Sequence, residues 1–269
     1  MVNKIQIEIR DMTEVDEYYV STCTHVNENN IEYEKSAPRR ISWLRSMEKF
    51  GLRVKVALLD GNHAGFLYIM PIEINPWQIE GKDLMVFPCL VAHSKFAQRG
   101  IGKLLIEAAE KETINQGRKG IATIGYFWDF WFMPAKYFLK LGFKLAVQRG
   151  EEAVLWKQYD QTAEPPTFRK ENYKFKPIKG KIIIDLFWST FCLTSDVEAQ
   201  RVREVVSEYG DDVILNEYPA DNKEILQKYG ITRMIYVNGN IIELGSEIEK
   251  EVLRNEIENA RIKIKKGEH

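Results

Sequence analysis

The chain has 269 residues, 45% of them hydrophobic and 29% charged, a balance that supplies a packed core and argues against a chain that stays disordered. With 38 Lys+Arg against 39 Asp+Glu the net charge is -1, which lacks the basic footprint of a general nucleic-acid binder. Three cysteines, Cys23, Cys89 and Cys192, are too few and too odd in number for a disulfide framework, so a reducing compartment, the cytoplasm, is expected.

In chain order, the opening MVNKIQIEIRDMTEVDE gains acidic residues where a signal peptide needs an apolar stretch. No run reaches the roughly 18 apolar residues of a membrane helix, and a soluble protein is expected. Strands are predicted at KIQIEI, LRVKVALLD, HAGFLYIM, DLMVFPCLVA, GIATIGYF, FKLAVQ and EAVLWKQ from their β-branched and aromatic content. Asp60-Gly61-Asn62 and Gly150-Glu151 read as hairpin turns, so much of the sheet is antiparallel. Helices are predicted at Thr13 to Cys23, Arg40 to Phe50, Gly100 to Gln116 and Met133 to Leu141. The periodicity then stops across DQTAEPPTFRKENYKFKPIKG, which reads as a linker. Beyond it come a strand at Lys181 to Phe187, a helix at Asp196 to Tyr209, a strand at Val213 to Glu217 and a helix at Asn222 to Tyr229. A hairpin of Met234 to Val237 and Ile241 to Leu244, turned by Asn238-Gly239, precedes a helix from Ser246 to about Ile262, giving βαβαββα. The expected organisation is α+β over residues 1–160, a linker over 161–179 and a smaller α/β domain over 180–269.

One stretch carries chemistry. In LVAHSKFAQRGIGKLLIEAAEKE a strand runs into a glycine pair, Gly100 and Gly102, and directly into an amphipathic helix. Amides at a helix N-terminus point outward unsatisfied and the helix dipole adds partial positive charge, so a pyrophosphate is a fitting ligand. Arg99 and Lys103 add charge beside the turn. The other reading is a loop whose glycines only satisfy tight backbone angles.

The order of four strands, this loop and helix, a strand, a helix ending in Leu141-Gly142-Phe143 and two more strands resembles the GCN5-related N-acetyltransferase (GNAT) family over residues 1 to about 160. The resemblance implies a mixed, mostly antiparallel sheet flanked by helices and transfer of an acetyl group from acetyl-CoA, as cosubstrate, to an amine by direct attack. Carried over by position, the amides of Gln98, Arg99, Gly100, Ile101, Gly102 and Lys103 cradle the pyrophosphate, and Leu90, Val91 and Ala92 hold the pantetheine arm and acetyl carbonyl. Ala97 stands where the family usually has Gln or Arg. Phe138 stands where the family has a tyrosine that protonates the departing thiolate, so that either the neighbouring Tyr137 reaches the sulfur, water serves, or the acid is dispensable. A general base is also needed. Asp83, Glu73 and Asp129 are the carboxylate candidates, and Asp129, inside GYFWDFWFMP, is singled out because flanking aromatics raise a carboxylate's titration; the alternative is that it caps the helix near Met133. His25, His63 and His93 show no ligand spacing, so no metal is expected. His93 reads as a proton relay or as a loop histidine, and Cys89 as a buried small hydrophobe.

The C-terminal order, opening IIIDLFWSTFC before a helix, resembles the thioredoxin fold, and the whole resembles bacterial acetyltransferases with a YoaP-like C-terminal domain. Ser189 replaces the attacking cysteine of Trp-Cys-x-x-Cys and no proline precedes Met234, so a dithiol cycle is not expected. Cys192 is a structural residue or a reactive thiol. The alternative to an enzyme is an acyl-CoA-binding sensor or interaction module with weak turnover, whose second domain recognises a thiol, peptide or protein. Neither nucleic acid nor membrane is an expected partner, and the acceptor and oligomeric state stay open.

Overall fold

A computed structural model of the chain describes residues 6–26, 28–96, 98–128, 132–242 and 247–266. Internal contacts divide it into two compact units, Met1–Asn29 with Leu44–Asn75 and Ile79–Arg169, and Asn30–Trp43 with Pro76–Gln78 and Lys170–His269.

The first unit begins with β1 (Ile7–Asp11) and a short helix α1 (Glu17–Thr22). Helix α2 (Ile31–Glu48), whose residues up to Trp43 belong to the second unit, begins well before the predicted Arg40. Pro38 lies inside it, where it removes one helical hydrogen bond, but Tyr33, Ala37, Arg40 and Leu44 are buried at helical spacing, and that stripe holds the turn together. Then follow β2 (Arg53–Leu59), β3 (Asn62–Pro71), the two-residue β4 (Ile79–Glu80) and β5 (Met85–Ala92). After the glycine loop come α3 (Ile101–Asn115), β6 (Gly120–Tyr126), α4 (Ala135–Lys140), β7 (Lys144–Arg149), β8 (Glu152–Gln158) and β9 (Thr167–Phe168).

Seven of these strands form one sheet in the order β1-β2-β3-β5-β6-β8-β7, and β4 pairs β9 separately, so the proline-rich stretch after Tyr159 contains a short strand. Asp60 and Gly61 both take positive φ, 49° and 78°, which is the two-residue turn that matches strand twist. Every pairing in the large sheet is antiparallel except β5 with β6. Helix α3 packs on one face, with Ile101, Leu105, Ile106 and Ala109 buried against Leu67, Ile69, Met85 and Phe87.

The parallel pair is short. Only Met85 and Val86 register with β6, opposite Ile121 and Ala122. Just beyond, the β3–β5 register slips: Tyr68 faces Cys89 but Met70 faces Val86, so Phe87 and Pro88 share one opposing position. Such a bulge bends a strand, and a proline, having no N–H, is tolerated there. Thr123 Oγ1 donates to the Phe87 carbonyl at 2.7 Å at the point where the ladder ends. Past it β5 and β6 diverge.

In the second unit, β10 (Ile182–Trp188) pairs parallel with β11 (Val213–Pro219) and antiparallel with β12 (Met234–Val237), which pairs β13 (Asn240–Ile241), giving the order β11-β10-β12-β13. With α5 (Leu193–Ser207), α6 (Lys223–Tyr229) and α7 (Lys250–Lys265), the βαβαββα order is the one expected. Asn238 and Gly239, with φ of 48° and 79°, form the predicted turn. The predicted hairpin end at Leu244 and helix start at Ser246 lie outside the described residues, and α7 begins at Lys250. Asn222 caps α6 by accepting from the amides of Glu224 and Ile225. Asn222→Ala is expected to lower stability by about 1 kcal/mol, read in denaturant unfolding of the intact chain; an unchanged midpoint would show that the cap carries no weight.

Candidate functional site

Among the described residues, the divergence of β5 from β6 leaves one edge of β5 open. On its other edge Leu90, Val91 and Ala92 register with Leu67, Phe66 and Gly65 of β3. Gly65 is required there, since a Cβ on it would lie 2.4 Å from the Val91 carbonyl oxygen. The open edge runs out at His93, whose amide donates to the Ala64 carbonyl at 3.0 Å, into a loop in which Gln98 and Gly100 take positive φ of 64° and 77°. Left-handed residues alternating along a loop turn successive amides toward one side, the concave arrangement that binds anions. The Arg99 amide is spent on the Phe96 carbonyl at 3.3 Å.

Gly100 is the N-cap of α3 and has no side chain with which to cap it. The first intrahelical bond runs from the Leu104 amide to the Gly100 carbonyl at 3.0 Å, so Ile101, Gly102 and Lys103 occupy the turn whose amides no helical carbonyl can reach. The dipole of this 15-residue helix adds partial positive charge at the same place.

The opposite lip is built by α4. Its approach to β6 needs Gly125, where a Cβ would sit 2.9 Å from Ala135 Cα, and the Tyr126 amide bonds the Met133 carbonyl at 2.9 Å. This turns Tyr137 toward the glycine loop. Its Oη lies 2.9 Å from the position that a Cβ on Gly102 would take. Burial pushes the Tyr137 phenol up, so it keeps its proton at neutral pH. Phe138, one residue on, is fully buried against Phe87 and Phe143.

These elements enclose a cavity of about 740 Å³, large enough for a sizeable ligand. Of the residues singled out in the sequence, Leu90, Val91, Ala92, Gln98, Gly100, Ile101, Gly102 and Tyr137 line it together. Arg99 and Lys103 do not line it; both are exposed or nearly so, and Lys103 faces Glu107 at 3.7 Å on the outside of α3. Asp129 lies outside the described residues. Glu73 and Asp83 are engaged elsewhere, Glu73 with Arg118 and the Asp83 amide, Asp83 with Lys119. Phe132, from the aromatic run GYFWDFWFMP, also lines the cavity, as do Thr24 and Phe96, which carry no motif by which the sequence could have marked them. Cys89 is buried, as expected.

Beside the cavity, His63 Nε2 meets Asp16 at 2.8 Å, and Asp16 also accepts both guanidinium nitrogens of Arg10 and the amide and hydroxyl of Thr13. Burial alone would raise this carboxyl; the bonds from Arg10, His63 and Thr13 outweigh it and hold Asp16 well below the usual carboxylate range.

In the second unit, Cys192 is the half-buried N-cap of α5. The loop before it is internally bonded, with the Ser189 amide on Ser195 Oγ at 3.0 Å and the Thr190 amide on Asp221 at 2.6 Å. Phe191 packs against Trp43 and Trp77. Among the described residues no group of three or more His, Cys, Asp or Glu is arranged to hold a metal, and no helix is long and apolar enough to cross a membrane.

No protein-family model and no curated protein matches the chain. Solved structures similar to it include the PaiA N-acetyltransferase of Thermoplasma acidophilum in complex with coenzyme A, at 19% identity and a TM-score of 0.41 over 57% of this chain and 99% of that one. Another is YncA, a putative acetyltransferase of Salmonella typhimurium with acetyl-CoA, at 16% identity and a TM-score of 0.43 over 59% of this chain and 97% of that one. A third is the GNAT-family N-acetyltransferase YhbS of Escherichia coli in complex with CoA, at 14% identity and a TM-score of 0.42 over 59% and 84%.

Proposed function

We propose that the first unit is an N-acetyltransferase that moves an acetyl group from acetyl-CoA to an amine. The observation that carries this reading is the split between β5 and β6 with an uncapped helix N-terminus at its mouth. A pyrophosphate needs several convergent donors and no side chain in the way, which Gly100 and Gly102 provide. An extended amide-bearing arm needs a free strand edge, which Leu90 to Ala92 provide.

Fixing both reactants in one cleft turns the transfer into an effectively unimolecular step. The main-chain amides of β5 orient and polarise the acetyl carbonyl, and the cavity's apolar walls, Phe96, Phe132 and Phe138 among them, exclude water that would hydrolyse the thioester. Tyr137, protonated at neutral pH, gives its proton to the departing sulfur. Thus the tyrosine one residue before the family's position does that position's work, and the buried Phe138 packs the core beneath it.

In the same reading the second unit is a thioredoxin-like, YoaP-like domain, supported by its βαβαββα order, and the enzyme works in the cytoplasm, supported by a cysteine set too small and odd in number for a disulfide framework. The loop around Cys192, with its amides already bonded, favours a structural role for that residue.

The test is thiol release from acetyl-CoA across a panel of primary amines. Tyr137→Phe is expected to lower kcat by about a hundredfold to ten-thousandfold, the weight of a general acid, while the affinity for CoA stays unchanged. Full activity in the variant would remove Tyr137 from the mechanism, and no thiol release with any amine would favour a binding module over an enzyme.

A further inference from the structure

The transfer leaves one proton unaccounted for. When the amine nitrogen bonds the acetyl carbon and the carbon–sulfur bond breaks, the sulfur takes a proton and the nitrogen must lose one. Two titratable side chains line the cavity among the described residues, Tyr137 and His93, and they stand on opposite lips, Tyr137 on α4 and His93 at the end of β5. We propose that His93 is the general base: its imidazole takes the proton from the attacking amine on the side of the cavity facing Tyr137. This rests on the acetyltransferase reading above.

The surroundings of His93 suit that task. It directly follows Leu90–Ala92, so it stands where the arm-holding edge ends, and its backbone is fixed by the bond to Ala64. The Tyr19 ring, from α1, packs 5.5 Å from the His93 ring and stacks at 4.3 Å on His63, from β3. Lys95 stands on the loop just beyond. Burial first, then the positive fields of Lys95 and His63, push the His93 imidazole below its ordinary value of 6.5, so it is neutral and able to accept a proton at physiological pH. His63 is held by the Asp16 carboxylate at 2.8 Å and stacks on Tyr19, so it supports that ring beside the site. Environments that push two titratable groups apart, the phenol up and the imidazole down, separate an acid from a base.

The proton balance closes. Nitrogen–carbon bond formation sends the amine proton to His93, carbon–sulfur cleavage takes the Tyr137 proton, and the products are an amide and CoA thiol. His93 then loses its proton and Tyr137 regains one through solvent, with no oxidant or reductant involved.

Bromoacetyl-CoA tests this without knowledge of the acceptor, because it places an alkylating carbon where the acetyl group would lie. In the intact protein an unprotonated imidazole nitrogen should displace bromide and leave one adduct, mapped by mass spectrometry to His93 and prevented by excess CoA. The alkylation rate should rise with pH and reach half its plateau below pH 6.5, the ordinary imidazole value. His93→Gln should lose the adduct while CoA affinity, measured by calorimetry, stays within about twofold, a difference well under 1 kcal/mol. An adduct on Asp129, Cys89 or another residue of the wild-type protein, with CoA still bound, would overturn the assignment to His93. Absence of any CoA binding would overturn the acetyltransferase reading itself, so the two failures are distinct.

Discussion

Gly102→Glu should weaken CoA binding by at least about a hundredfold, about 2.7 kcal/mol, with little change in thermal unfolding. The new Cβ would lie 2.9 Å from the hydroxyl of Tyr137, the far end of a side chain that borders the cavity and can give way into it. The carboxylate would then occupy the helix terminus that the pyrophosphate requires, satisfying the same amides and dipole with the chain's own charge. Gly100→Ala makes the useful contrast. A Cβ there meets no protein atom within 4 Å, but φ is +77°, so this variant adds a stability cost of about 1 kcal/mol to any loss of binding. Calorimetric titration and melting curves of the two variants separate these effects. Equal CoA affinity in Gly102→Glu and wild type would place the phosphates elsewhere.

The second large effect belongs to Asp16. Its carboxylate is fully buried and receives bonds from Arg10, His63 and Thr13. Removing it in Asp16→Ala strands those donors, and because Arg10 stays partly exposed the low end of the range for broken buried pairs applies, about 3 kcal/mol. The sign with pH follows from the depressed carboxyl. Its stabilisation is fully present above the unfolded-state value and is lost as pH falls toward the lower folded value. The stability gap between wild type and variant should therefore be constant near neutrality and shrink below about pH 4, as measured by urea unfolding across pH. A gap that does not narrow on acidification would mean that Asp16 is not the group responsible.

Much of this was legible in the sequence because short-range rules were decisive. Asp60-Gly61 and Asn238-Gly239 admit positive φ, so both hairpins could be read directly. The glycine pair ahead of an amphipathic helix marked the helix terminus that lines the cavity. Helix α2 starts before the predicted Arg40: Pro38 is a local break signal, yet it lies inside the helix, where Tyr33, Ala37, Arg40 and Leu44 are buried at helical spacing. Long-range pairings gave no signal at all: Arg39 meets Asp196, and Arg201 meets Glu32, across more than 150 positions of the chain. The bulge at Phe87-Pro88, which opens the split, depends on the opposing register of β3 and is equally invisible in one strand. Tyr137 and Phe138 differ by one position, and only the seating of α4 against Gly125 decides which of them turns to the cavity edge and which fills the core.

We propose that the β5–β6 split and the α3 terminus form a CoA site. Isothermal titration of the wild-type protein with acetyl-CoA, beside the same titration with dephosphorylated pantetheine, tests it most directly. One site per chain with micromolar affinity for acetyl-CoA is expected, with much weaker binding of pantetheine, which lacks the pyrophosphate. Absence of acetyl-CoA binding, or equal affinity for both ligands, would contradict it.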